Sequence, residues 1–201
     1  MEPLLRFLDQ TKSFFFIDAY TYFEWVSKPN IVSLDYALLA AQNTTFKDPF
    51  SGLVYNNLLD QILDSVVFAM KKLGYVNIPL FVAETGWPNA GDIDQIGASI
   101  YNAATYNRNV VKKFTVTPTV GTPARPGVSI PLNIFALYNE NQKPGPSTER
   151  HFGLSYPNGT KIYNIDLSGK TPESAYNALP QPTNNEPYKG KIWCVVAEGG
   201  N

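Results

Sequence analysis

An uncharged apolar run, residues 78–83, ends on the carboxylate of Glu84, and Thr-Gly-Trp-Pro follows directly. A short apolar run bounded by turn residues is typical of a strand that is buried on both faces of a parallel sheet. Parallel α/β folds place their chemistry at the carboxyl ends of such strands, because the loops there converge on the ligand. The run therefore predicts that a rigid strand holds Glu84 at a cleft, with the indole of Trp87 beside it. The alternative is a buried Glu84 that is paired with a Lys or Arg and has no chemical role.

Other apolar stretches alternate between strands and helices on either side of this run. The clearest helical pattern covers residues 57–74, where apolar side chains recur every three or four positions and Gly74 closes the pattern. After a first helix, the predicted order is strand, strand, helix, strand, helix, strand. This order indicates an α/β fold with a parallel sheet, in a barrel or a doubly wound layout. The other predicted strands are Ser13–Tyr20, Leu34–Leu39 and Ser129–Tyr138, and the other predicted helices are Pro3–Lys12 and Ile93–Lys113.

Composition excludes several classes of function. The net charge of −1 argues against a nucleic-acid partner, which needs a basic face. No apolar run approaches the roughly 20 residues of a membrane-spanning helix. A single cysteine, Cys194, and a single histidine, His151, exclude an internal disulfide, a paired-cysteine zinc site and a histidine-rich metal site. No Gly-rich phosphate loop follows a predicted strand, so neither a nucleotide nor another cofactor nor a metal is expected.

Two blocks of sequence resemble a known family. Val82–Gly91 reads Val-Ala-Glu-Thr-Gly-Trp-Pro-Asn-Ala-Gly, and Phe135–Gly145 together with Glu149–Leu154 forms the second block. Both blocks resemble segments of glycoside hydrolase family 17, the plant endo-1,3-β-glucanases. The resemblance continues in one register from about Pro3 to Leu167. It implies a (β/α)8 TIM barrel of the α/β class, a β-1,3-glucan substrate, and hydrolysis of internal β-1,3-glucosidic bonds by a retaining mechanism.

The resemblance also implies roles for four charged residues. Glu84 matches the nucleophile of the family, and Glu140, Lys143 and Glu149 match further positions of its cleft. A glutamate beside Lys143 suits electrostatic support of the reaction better than proton donation. The alternative for these three supporting residues is an ion-pair network that only holds a loop.

Three aromatic residues are expected to line the sugar subsites: Tyr20, Trp87 and Tyr138. Tyr20 falls at the end of a predicted strand, and plain core packing is the alternative for it. The family segment Asn-x-Tyr-Pro-Tyr reads Asp-Ala-Tyr-Thr-Tyr at residues 18–22. Asp18 therefore adds a negative charge near the cleft.

One part of the expected machinery has no match in the sequence. A retaining glycosidase needs a nucleophilic carboxylate and a protonated one about 5–5.5 Å away that assists the leaving oxygen. The acid/base glutamate of the family lies in a Gly-Asn-Glu motif on its fourth strand, and that motif is absent from the 201 residues. Loss of acid assistance typically costs about 10²–10⁴-fold in rate. In register with the family, the chain corresponds to a partial barrel of about strands five to eight, with low or no activity expected.

Composition also divides the chain. A shift to a polar, Pro-rich composition predicts a linker at residues 169–190, after the partial catalytic barrel of residues 1–168. Residues 191–201, which contain Cys194, resemble the start of the Cys-rich carbohydrate-binding module that follows some family 17 catalytic domains, here truncated. No signal peptide is expected at the N-terminus. The resemblance implies an extracellular or cell-wall location and leaves a membrane anchor open for the full-length protein.

A half-barrel exposes two sheet edges, which leaves three interpretations. The favoured one is a fragment of a family 17 enzyme. The others are a non-catalytic glucan-binding remnant and a half-barrel that associates with another chain through its exposed edges.

Overall fold

The computed structural model describes residues 1–183 and residue 185. The predicted start of a carbohydrate-binding module at residues 191–201, with Cys194, lies outside the described residues. The described helices are α1 Glu2–Thr11, α2 Thr21–Ser27, α3 Leu34–Ala37, α4 Leu58–Lys72 and α5 Ile100–Thr115, with 3-10 turns at Ser147–Arg150 and Glu173–Ala175. The described strands are β1 Phe15–Asp18, β2 Phe46–Lys47, β3 Val54–Tyr55, β4 Leu80–Thr85, β5 Gly121–Thr122, β6 Arg125–Pro126 and β7 Leu132–Ile134.

Three of these strands form a parallel sheet in the order β1-β4-β7. The sheet confirms that the apolar run ending at Glu84 is a buried central strand. Asp18 of β1 lies opposite Glu84 of β4, and Thr85 lies opposite Ile134 of β7. The carboxyl ends of the three strands therefore meet at one edge. The remaining strands form two short antiparallel hairpins, β2–β3 and β5–β6.

The strand predicted at Leu34–Leu39 is wrong. Its first four residues form the short helix α3, and the backbone N–H of Tyr36 donates to Oγ of Ser33, the N-cap, at 3.4 Å. Leu39 then adopts a positive φ of 57°, which no extended strand contains. The Ser-Leu-Asp sequence is a helix start signal that outweighs the apolar character of the residues after it. Among the described residues the parallel sheet has three strands where four were predicted, and the layout stays that of a partial α/β barrel.

The two long helices pack against this sheet. The prediction for residues 57–74 is confirmed by α4, where Asn57 caps the helix by accepting from the backbone N–H of Asp60 at 2.8 Å. The predicted start of α5 is seven residues too early, because Ser99 is the N-cap and residues 92–99 form a loop. In the described part of the chain, no helix is long and apolar enough to cross a membrane. The fully buried core includes Leu5, Trp25, Leu59, Leu63, Leu80, Val82, Trp87, Tyr106 and Val110.

A buried ion pair joins the two long helices. Lys113 Nζ lies 3.0 Å from Oδ2 of Asp60, and the side chains are 17% and 4% exposed. Asn57 Nδ2 donates to the same carboxylate at 2.8 Å. Burial raises the pKa of Asp60, and the charge of Lys113 opposes this rise. The carboxylate therefore depends on Lys113 for its charged form.

We expect Lys113→Gln to lower the free energy of unfolding by about 2 kcal/mol at pH 7, less than for a fully buried pair because Lys113 is partly exposed. Without its cation, Asp60 has a pKa still further above the usual range. The penalty therefore shrinks as the pH falls through that pKa, since protonated Asp60 needs no cation. Urea unfolding at pH 7 and pH 5 measures both effects, with the exposed neighbour Lys112→Gln as the control. An equal loss at the two pH values would contradict the charge argument.

Candidate active site

Glu84 lies at the carboxyl end of the central strand β4 and is partly exposed. Its carbonyl accepts from the backbone N–H of Ala19 at 2.8 Å, which fixes its position against β1. The next residue, Thr85, is buried, and its hydroxyl donates to the carbonyl of Ala19 at 2.6 Å and contacts Tyr106 Oη at 2.6 Å. Among the described residues, Glu84 forms no ion pair with a Lys or Arg. A rigid backbone thus holds a carboxylate that has no cationic partner in this part of the chain.

Tyr20 is the direct partner of this carboxylate. Its hydroxyl donates to Oε2 of Glu84 at 2.8 Å. The ring makes edge contacts with Phe23 and Phe152, each at 5.5 Å between centroids. Burial raises the pKa of Tyr20 far above its usual value, and the hydrogen bond to Glu84 and the charges of Glu84, Asp18 and Glu149 add to the rise. The phenol therefore stays protonated and donates to Glu84 over the whole working pH range.

Lys143 joins the two other predicted glutamates. Its Nζ lies 3.1 Å from Oε2 of Glu149 and 3.8 Å from Oε2 of Glu140, and it stands 4.9 Å from the centroid of the Phe135 ring. The side chains of Glu149 and Lys143 are only partly exposed, at 28% and 34%, whereas that of Glu140 is 43% exposed. The Phe135 ring that Lys143 contacts lies 5.9 Å from the ring of Phe152, which in turn contacts Tyr20, so the cluster lies beside the Glu84–Tyr20 pair. The structure therefore brings together five of the seven residues predicted for the site.

Two amide side chains, of the buried Asn89 and the partly exposed Asn139, connect the loops that follow β4 and β7. Asn89 Nδ2 donates to Oδ1 of Asn139 at 2.9 Å and to the carbonyl of Gly153 at 3.0 Å. Asn139 Oδ1 also accepts from the backbone N–H of Gly153 at 2.9 Å. A side chain at Gly86 would meet the carbonyl of Phe135 at 2.3 Å from its Cβ, so the loops touch through their backbones. Sequence reasoning missed this connection, because an asparagine in a loop gives no sign of its partner.

The predicted sugar contact of Trp87 is wrong. The side chain is 0% exposed and lies in the core between Tyr22, Trp25 and Tyr106, with centroids 5.1–5.8 Å apart. Its indole N–H donates to the carbonyl of Gly97 at 2.8 Å. An indole so enclosed has no free face for a sugar ring. Trp87 instead supports the loop behind Glu84 from within the core.

Tyr138 is the remaining predicted aromatic, and its sugar contact stays a prediction. The residue is 46% exposed, and its backbone bridges Ser155 just beyond β7.

The single histidine, His151, bonds within its own loop, where Nδ1 donates to the carbonyl of Ser147 at 2.7 Å. In residues 1–183 and 185, no three His, Cys, Asp or Glu side chains cluster in a way that could hold a metal ion.

Known proteins resemble this chain over most of its length. Two Arabidopsis thaliana proteins match it: "Probable glucan endo-1,3-beta-glucosidase A6" is 56% identical over 201 residues, and "Glucan endo-1,3-beta-glucosidase 14" is 42% identical over 178 residues. The matches cover 100% and 89% of this chain but only 42% and 45% of the two relatives. The chain therefore spans less than half the length of these relatives.

Solved structures agree with the fold. A β-1,3-glucanase and allergen of Cryptomeria japonica pollen, CJP38, superposes with a TM-score of 0.76 at 41% identity, over 84% of this chain and 50% of its own. A plant β-glucan endohydrolase superposes with a TM-score of 0.71 at 34% identity, over 82% of this chain and 50% of its own. The model of the family "Glycosyl hydrolases family 17" matches residues 1–167. The chain belongs to family 17 of the glycosyl hydrolases.

Proposed function

We propose that this chain supplies the nucleophile side of a retaining β-1,3-glucan hydrolase site, with Glu84 as the nucleophile. The observation that carries the proposal is the placement of Glu84 at the carboxyl end of the central strand, held by Tyr20 Oη at 2.8 Å and without a cationic partner in the described chain. A carboxylate at this position can attack the anomeric carbon of a sugar that is bound at the carboxyl ends of the strands. Relatives named as glucan endo-1,3-β-glucosidases support β-1,3-glucan as the substrate.

The proposed reaction has two displacements. In the first, Glu84 Oε attacks the anomeric carbon, the glycosidic C–O bond breaks, and a glucosyl ester of Glu84 forms. In the second, water attacks the same carbon while its proton passes to a second carboxylate, and the ester bond to Glu84 breaks, so the product keeps the β configuration. Tyr20 donates to the carboxylate throughout, which orients Oε2 and leaves the other oxygen to attack. The charged side chains of Lys143, Glu140 and Glu149 lie beside this pair and support the reaction electrostatically.

The leaving oxygen needs a proton from a second carboxylate. Glu140 and Glu149 both lie within 4 Å of Lys143 Nζ, so each carboxylate already has a cationic partner, and we assign neither as the proton donor. The 201 residues contain no Gly-Asn-Glu motif. We therefore expect these residues by themselves to hydrolyse the polymer about 10²–10⁴-fold more slowly than a site with acid assistance.

The nucleophile can be tested without the acid. A β-1,3-linked diglucosyl fluoride that carries fluorine at C2 needs no protonation to lose fluoride, and its glycosyl-enzyme ester hydrolyses slowly. We expect mass spectrometry of the treated chain to show one diglucosyl group on the peptide that contains Glu84. The Glu84→Gln variant should remain unlabelled. Labelling of Glu140 or Glu149, or no labelling of a folded chain, would contradict the assignment.

We expect Tyr20→Phe to lower kcat for an aryl β-1,3-diglucoside by about tenfold or more with little change in KM, because a hydrogen bond to a charged group contributes about 1.5–3 kcal/mol. The ring and its contacts with Phe23 and Phe152 stay in place, so the free energy of unfolding should change little. Initial rates over a range of substrate concentrations give both constants, and urea unfolding gives the control. An unchanged kcat, with the stability also unchanged, would favour the core-packing alternative.

A second candidate function is association with another chain through the sheet edges, which leaves catalysis to the assembly. Strand β7 borders a cavity of about 500 Å³ lined mainly by apolar side chains, among them Leu132, Leu137 and Leu167. Leu137 and Leu167 are 62% and 59% exposed, and Phe16 of the opposite edge strand is 60% exposed. Sedimentation of the purified chain distinguishes a monomer from an assembly.

We also propose an extracellular or cell-wall location, from the family resemblance alone.

A further inference from the structure

The residues that follow the family match lie along helix α5. Gly169 packs against Val111 and Thr115 in the last turns of the helix, and the ideal position of a Cβ at Gly169 falls 2.1 Å from Oγ1 of Thr115. Farther along the chain, Leu179 packs against the hydrophobic core. Asn185 reaches the first turn, where its Oδ1 accepts from Nδ2 of Asn102 at 2.7 Å. Residues 168–183 and residue 185 therefore run antiparallel to α5 over the whole length of the helix.

Arg108, in the middle of α5, contacts both this segment and Asn164, which precedes it. Its guanidinium donates through Nε and Nη2 to the carbonyl of Asn164, at 3.0 and 2.8 Å. Nη1 donates to Oε1 of Glu173 at 2.6 Å, and the guanidinium carbon lies 3.8 Å above the ring of Tyr176. The arginine side chain is only 8% exposed. A planar guanidinium with bonds in its plane and an aromatic ring on its face is held in one orientation.

A tight turn around Asp166 prepares the segment for these contacts. The Asp166 carboxylate accepts from the backbone N–H groups of Ser168, Lys170 and Thr171 and from two of their hydroxyls, at 2.9–3.2 Å. The hydrogen bonds from Ser168 and Thr171 hold the pKa of Asp166 well below its usual range. The backbone N–H of Asp166 donates to the hydroxyl of Tyr176 at 3.0 Å. The turn and the aromatic ring that covers Arg108 are thus one bonded unit.

The far end of the segment meets the loop behind the candidate nucleophile. Asn102 is fully buried, and its Nδ2 donates both to Asn185 Oδ1 and to the carbonyl of Gly97, at 2.7 and 2.9 Å. The same carbonyl accepts from the indole of Trp87, three residues after Glu84. Residue 185 therefore lies at the end of the sheet that carries Glu84.

We infer that residues 168–183 and 185 form a strap that belongs to the same folded unit as residues 1–167, docked on the outer face of α5 by Arg108, where a linker was predicted to start at residue 169. The partner that this helix face binds is the chain itself. The strap returns the chain from the amino end of the sheet to its carboxyl end, so residue 185 lies at the end of the unit that carries Glu84. This inference does not rest on the proposed reaction.

Hydrogen–deuterium exchange of the 201-residue chain tests the strap without any activity measurement. We expect slow exchange in residues 168–176 of the unaltered chain, and exchange at least about tenfold faster there in Arg108→Ala, because the docked state is lost. Lys112→Ala, which removes an exposed positive charge one turn along the same helix, should leave the segment protected. Equally slow exchange in Arg108→Ala, or fast exchange in the unaltered chain, would overturn the inference.

A substitution in the strap itself distinguishes undocking of the strap from a destabilisation of α5 that the loss of Arg108 could cause. Tyr176→Ala removes the ring over Arg108 and the hydroxyl on Asp166 but leaves α5 intact. We expect it to raise exchange in residues 168–176 by a similar factor while the peptides of β4 stay protected. If exchange rises throughout the chain in both variants, the segment has no docking equilibrium of its own and the inference fails.

Discussion

Replacing Glu84 by glutamine is expected to lower the rate at which the chain hydrolyses a dinitrophenyl β-1,3-diglucoside by at least about 10³-fold, because a neutral amide does not form the glycosyl ester. Glutamine has the shape of glutamate, and its amide oxygen can still accept from Tyr20 Oη. The site geometry is therefore preserved while the nucleophile is lost. Dinitrophenolate leaves without a proton, so the assay reports on the attack alone and needs no acid. Release of the coloured phenolate measures the rate.

Two further variants separate attack from electrostatic support. Glu140→Gln, which weakens a contact of 3.8 Å to Lys143, is expected to lower the same rate by only about tenfold. Glu84→Gly opens space beside the anomeric carbon, so added azide should attack there and give an α-glycosyl azide. That product, with inverted configuration, forms only if the removed carboxylate was the group that attacked the β-glycoside. Equal losses in Glu84→Gln and Glu140→Gln, with no azide product, would contradict the assignment.

Sequence reasoning predicted those parts of the fold that follow from local pattern. The uncharged run before Glu84, bounded by turn residues, predicts a buried strand, and β4 is the central strand of the sheet, with Leu80 and Val82 buried. The spacing of apolar residues in 57–74 gave α4 with its cap at Asn57. Residues 34–39 failed because six mostly apolar residues fit a strand or a short helix equally, and the serine cap at Ser33 decided between them.

For the candidate site, the sequence predicted residues at strand ends but not the contacts between distant loops. A glutamate at the end of a buried strand needs no knowledge of partners, so Glu84 was predictable from position alone, and Tyr20 follows because its strand is the neighbour of β4. The Asn89–Asn139 pair depends on two loops 50 residues apart, and no local signal encodes that meeting. The same holds for Arg108, whose partners lie 56–68 residues farther along the chain.

Trp87 shows the opposite error, in which a plausible chemical role was assigned to a side chain that the fold buries. An indole next to a catalytic carboxylate suits a sugar ring, and the sequence offers nothing against that role. The direction of the side chain decides it: Thr85 and Trp87, two residues apart, both point into the core, toward Tyr106, while Glu84, the residue before Thr85, is partly exposed and bonds to Tyr20. This is the alternation that an extended backbone imposes.

Trp87→Ala is accordingly expected to lower the free energy of unfolding by about 3–5 kcal/mol, the range for emptying the space of a buried aromatic side chain. The variant loses the ring contacts with Trp25, Tyr22 and Tyr106 and leaves the carbonyl of Gly97 without its indole donor. The midpoint of urea unfolding measures the change. Phe50→Ala is the matched control, because that aromatic side chain is 97% exposed, and its removal should change the stability by less than about 0.5 kcal/mol. One outcome would contradict this core role and support a sugar contact for Trp87. In that outcome, Trp87→Ala unfolds at the same urea concentration as the unaltered chain but binds a β-1,3-glucan oligosaccharide more weakly.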